Sequence, residues 1–162
     1  MAENLLLAFL LAFLLLFALF LRNWAKSVRD EKAVWEAESA RWDADRIERE
    51  ALETARAMDL PPPGREGLLI LDHLIRRLRA TGEFDPVRTA LGLGAYAAMS
   101  LKQWREGSYL HVANRIHVTW EREGETCTLD VLLFVYLKLK SVIHNSFERL
   151  TDKIEYGRPL PL

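Results

Sequence analysis

The sequence predicts an all-α chain: one N-terminal transmembrane helix continuing into a long charged amphipathic helix, then a small bundle of about four helices. Three observations carry this. Every residue from Leu5 to Leu21 is Leu, Ala or Phe; the stretch from Arg22 to Met58 is rich in Ala, Glu, Arg and Asp without a Gly or Pro; and apolar residues recur at helical spacing after Pro61-Pro62-Pro63. The expected domains are an anchor over 1–23, a helical arm over 24–58, a Pro-rich linker over 59–66, a helical domain over 67–156 and an extended tail over 157–162.

The apolar run is long enough to span. At about 1.5 Å per residue it covers roughly 25 Å, the short end of what a bilayer core requires. Ala2 and Asn4 can enter the near interface, Arg22 can snorkel, and Trp24 suits the headgroup layer. A cleaved signal peptide is the competing reading, but it wants a positive start and a small-x-small cleavage site, and here Glu3 precedes the run and Arg22-Asn23-Trp24 follows it. The expectation is therefore a retained anchor. Arg22, Lys26, Arg29 and Lys32 follow the span, which places the amino terminus outside and the rest inside, in cytoplasm, matrix or stroma. Within the span, Ala8 and Ala12 form a small-xxx-small patch for a neighbouring helix, and Phe9, Phe13 and Phe17 an adjacent aromatic stripe. A span that is simply greasy is the plainer reading.

From Arg22 to Met58 the chain reads as one helix roughly 55 Å long, with i,i+4 pairs such as Lys32 with Glu36 and Arg41 with Asp45. Trp24, Val28, Trp35 and Trp42 lie near one face and are the candidate docking stripe; Ile47, Ala51, Ala55 and Met58 continue a rotated one. Either a partner covers the stripe or the arm folds back on its own domain. Asp59 to Gly64 ends the helix, because prolines lack donors and hold extended geometry. Gly67 to Ala80 is expected as a helix with Leu68, Leu71, Leu74, Ile75 and Leu78 inside. Its Arg76, Arg77 and Arg79 lie on the wet side, where with Arg22 and Lys26 they are candidate lipid-headgroup contacts.

Asp85 followed by Pro86 marks the start of a helix to about Arg105, whose Gly92, Gly94, Ala97 and Ala98 let another helix approach. Tyr109 to Arg122 reads either way: Ile116, Val118 and Trp120 alternate as in a strand, while Tyr109, Val112, Ala113, Ile116 and Trp120 fit a helix, and helix is the expectation. Thr128 is then expected to cap a last helix from Leu129 to about Tyr156, with Leu132, Leu133, Tyr136, Ile143, Phe147, Leu150 and Ile154 buried.

The charges nearly cancel, with 22 basic and 23 acidic residues, so no global field draws the chain to nucleic acid or acidic substrates. Cys127 is the sole cysteine and forms no intrachain disulfide, in keeping with a reducing compartment. His73, His111, His117 and His144 show no metal-ligand spacing, Cys127 lacks an adjacent base, and Gly92-Leu93-Gly94 lacks the third glycine of a dinucleotide loop. The expectation is no catalytic residue, no metal, no cofactor, no small-molecule substrate and no nucleic acid.

The layout from Leu5 to Met58, a short outside terminus, one span and a charged helix inside, resembles that of the b subunit of F-type ATP synthases, and implies a stalk-like helix. The pair from Thr89 to Trp120, with Trp104-Arg105-Glu106-Gly107-Ser108-Tyr109 at its turn, looks like one helical hairpin of the tetratricopeptide or pentatricopeptide kind. The functional expectation is a non-catalytic accessory subunit of a large membrane complex, of the mitochondrial respiratory or ATP synthase kind, whose partners are other subunits and the lipid bilayer. The alternative is a membrane-anchored helical-hairpin adaptor with a transient partner on the inner side.

Overall fold

The computed structural model describes residues 2–122 and 124–141, with side chains from Leu10 onward. The chain divides into two compact units, Met1–Ala37 and Glu38–Leu162, and is mainly helical.

The first unit is the body of helix α1 (Ala2–Ser39). Leu, Ala and Phe all favour or tolerate helical geometry, and no Gly or Pro interrupts. Lys32 and Glu36 form one of the expected lateral pairs at 3.8 Å, exposed and so a small contribution.

The expected continuous arm is interrupted. α1 stops at Ser39 and helix α2 (Ala44–Ala57) starts anew, because Asp43 adopts extended backbone and its carboxylate accepts from Arg46 N at 2.8 Å. Asp competes with helix interiors by making this kind of local bond. Arg41 consequently pairs with Glu38 at 3.3 Å, rather than with Asp45. The face of α2 that turns inward is Ile47, Ala51 and Ala55, as the rotated stripe requires.

Helix α3 (Arg65–Thr81) closes on Gly82, whose φ of 67° suits a residue without Cβ. Leu68, Leu71, Leu74 and Ile75 are buried and Arg76, Arg77 and Arg79 exposed, as the periodicity predicts, while Leu78 is only half-buried. Helix α4 (Pro86–Arg105) is capped by Asp85, whose carboxylate accepts from Val87 N at 2.9 Å and Arg88 N at 3.0 Å. It is the core of the second unit, packed by α2, α3 and elements that follow it, and buried along Ala90, Leu91, Leu93 to Ala98, Ser100 and Leu101. Its glycines explain how it accepts so many neighbours. A Cβ on Gly92 would stand 2.7 Å from Thr54 Oγ1, and one on Gly94 3.1 Å from Leu132 Cα. The Tyr96 hydroxyl donates to Pro61 O at 2.8 Å, fixing the proline linker to α4.

The segment expected as a helix over 109–122 is instead sheet. Strands β1 (Ser108–Val112), β2 (Arg115–Arg122) and β3 (Glu125–Leu129) form an antiparallel meander in the order β1-β2-β3. Ala113 and Asn114 both take positive φ, 48° and 62°, between the paired Val112 and Arg115. That is the two-residue turn whose twist matches a hairpin. With the chain reversed there, the alternation of Ile116, Val118 and Trp120 decides: all three are buried, and β2 packs on α4. Thr128 lies in β3, so the cap of helix α5 (Val131–Leu139) is Asp130, which accepts from Leu133 N at 2.9 Å. Ile143, Phe147, Leu150, Ile154, His144 and the tail over 157–162 lie outside the described residues.

Candidate membrane and docking surfaces

Leu10 to Leu21 are exposed without exception, with the large side chains between 44% and 66% accessible. α1 is long and apolar enough to cross a membrane, lies near the N-terminus, and over its most apolar window is 0% buried. A helix apolar all round and uncovered by its own chain is stable only against an apolar medium or partner. The rings of Phe13 and Phe17 stack, with centroids 6.2 Å apart and planes 7° from parallel, and Ala12 is exposed; the side chains of Ala8 and Phe9 lie outside the described set. Beyond the apolar run, Arg22 and Lys26 are exposed.

The tryptophan stripe is divided. Trp24 and Val28 are 60% and 40% exposed, whereas Trp35 and Trp42 are 0% and 3% exposed. The Arg46 guanidinium lies 4.9 Å from the centre of the Trp42 ring, an arrangement that adds a cation–π attraction to burial. Of the four proposed docking residues, Trp24 and Val28 are therefore the accessible pair, and Trp42 belongs to the core of the second unit.

On α3, Leu69 and Ile70 are exposed at 38% and 37%, and His73, Arg76 and Arg77 share that outward side. Arg76 Nε donates to Asp72 O at 3.2 Å, which ties the guanidinium to its own helix. Arg76 and Arg79 border an open groove of about 710 Å³ whose other walls include Ala80, Phe84, Leu139 and Lys140. Sequence reasoning found the arginines but not the groove, because Phe84 follows the α3 turn and Lys140 ends α5, far away in the chain. Spacing within one helix carries no signal of such a meeting.

The interior holds polar groups as well. Lys138 Nζ lies 2.7 Å from Asp72 Oδ1, joining α5 to α3; nearer the surface, partly exposed Lys102 pairs with partly exposed Glu48, and its ammonium sits 4.6 Å from the Tyr109 ring centre. Burial first, and the Glu48 charge second, push the Tyr109 hydroxyl well above the usual tyrosine range. Burial also raises Tyr96, against a smaller lowering by a hydrogen bond with Ser100. His111 pairs with Ile116 and His117 with Leu110 across the hairpin, so the two histidines take opposite faces of the sheet. Among the described residues no group of three or more His, Cys, Asp or Glu is placed to hold a metal ion. Cys127, opposite Trp120 in the ladder, is a half-buried thiol.

No family model, curated protein or solved structure matches this chain.

Proposed function

We propose that this protein is a single-pass membrane protein serving as a non-catalytic, structural subunit of a larger membrane assembly. The observation that carries the reading is the bare apolar surface of α1 from Leu10 to Leu21, together with Trp24 and Val28 uncovered beyond it. Lipid solvates the first part, and a neighbouring subunit is the natural cover for the second. The basic residues Arg22, Lys26, Arg29 and Lys32 support an orientation with the amino terminus outside and the domain inside. As the assembly, we propose a respiratory or ATP synthase complex of the mitochondrial inner membrane with the domain in the matrix; a bacterial plasma membrane would present the same chemistry. Support for that choice is the layout of span, charged helix and small helical domain.

The test is extraction and sizing of the full chain. The protein is expected to stay in the membrane pellet through alkaline carbonate, and after mild detergent to migrate with a large assembly. Release by carbonate overturns the membrane reading. Membrane retention with migration as a free monomer overturns the subunit reading and favours a membrane-anchored adaptor.

A further inference from the structure

We infer that the groove between α3 and the end of α5 is a binding site for the phosphate headgroup of an anionic lipid, an inference that rests on the membrane reading above for the supply of lipid. Its walls combine two chemistries. Arg76 and Arg79, three residues apart on α3, bring two guanidinium groups to one opening that Lys140 also borders, and among the described residues no carboxylate lines it. Guanidinium groups match phosphate oxygens through paired N–H donors. Phe84, Leu139 and Ala80 supply an apolar wall beside those cations, so a molecule that is anionic at one end and hydrocarbon at the other fits better than a free anion. A volume of about 710 Å³ is ample for a headgroup and the first carbons of an acyl chain. Leu69, Ile70 and Arg77, exposed on the same helix, give α3 the mixed apolar and cationic outer side that suits a headgroup layer.

The full-length protein in a neutral detergent is titrated calorimetrically with monomeric dihexanoyl phosphatidic acid, with dihexanoyl phosphatidylcholine and with inorganic phosphate. Phosphatidic acid is expected to bind roughly tenfold or more tightly than either of the others, and Arg76→Gln with Arg79→Gln to lose that advantage. Arg88→Gln, exposed at the start of α4, is expected to bind as the parent does. A photo-crosslinking amino acid replacing Phe84 should capture the acyl chain. Equal binding of phosphatidylcholine, or of inorganic phosphate, overturns the lipid assignment. So does binding that survives the double arginine change, or a crosslink from position 84 into residues 142–162, which would make the chain its own occupant. Because the titration needs no bilayer, its failure is distinct from release of the protein by carbonate.

Discussion

The ammonium of Lys138 lies 2.7 Å from the Asp72 carboxylate, with both side chains more than nine-tenths buried, so α3 and α5 are joined through an ion pair inside the domain. Breaking a buried pair from one side strands a charge. Asp72→Asn or Lys138→Met alone should each cost about 3–5 kcal/mol, whereas Asp72→Leu combined with Lys138→Met should recover most of the loss. Urea unfolding of the detergent-solubilised chain measures all three, and additive losses in the double variant would contradict the coupling.

The two glycines of α4 should respond differently to substitution. At Gly92 the obstructing atom is the hydroxyl end of Thr54, which can rotate, and the helix gains about 1 kcal/mol of propensity from Ala. Gly92→Ala is therefore expected to be neutral or slightly stabilising. At Gly94 the neighbour is the backbone of Leu132, which cannot rotate away. Gly94→Leu should destabilise by about 1–3 kcal/mol or more through overpacking. Thermal melts of the pair decide the order.

The hairpin turn offers a stabilising change. Ala113 and Asn114 hold positive φ, at a cost of about 1–2 kcal/mol for an L-residue with Cβ and less for Asn. Ala113→Asn with Asn114→Gly should raise stability by about 1 kcal/mol, since Asn-Gly is the preferred occupant of this turn. An unchanged melting temperature would mean that the strain is absorbed elsewhere.

Tyr109 should shape the alkaline limb of stability. Burial raises its folded pKa, so the fold favours the neutral phenol. The contribution is complete below about pH 10, where an unfolded tyrosine begins to ionise, and is lost as pH rises beyond it through the folded value. Tyr109→Phe should flatten that decline. At neutral pH it should cost little, because the Tyr109 hydroxyl is buried and has no hydrogen-bond partner among the described residues. Stability measured from pH 7 to pH 11 tests both statements; Tyr96, raised in the same direction, leaves a residual slope.

Much of the helical framework was legible because it rests on signals short in sequence. Asp85-Pro86 marks its helix start by capping chemistry, Gly82 and the prolines mark ends, and the leucines of α3 repeat at the period of their helix. The failures have a common cause. At Tyr109 to Arg122 two periodicities fit the same apolar residues, and the turn that separates them is Ala-Asn, without the glycine that would announce a hairpin. Asp43 was legible as a cap in principle, but it lies in a run of good helix formers, where a cap signal and a lateral ion pair look alike. Of the candidate sites, the arginines of α3 were readable, but their partners in the groove came from other elements.

What the sequence determined by itself is the apolar helix and the helical class, since both follow from residue composition over consecutive positions and from hydrogen bonds closed within one segment. Tertiary structure decided the rest: that Trp42 is core while Trp24 is surface, that Asp72 meets Lys138, and that Ile116, Val118 and Trp120 alternate as a strand. Each of those outcomes depends on which surfaces are buried against distant parts of the chain, and burial is a property of the packed whole that local periodicity does not encode.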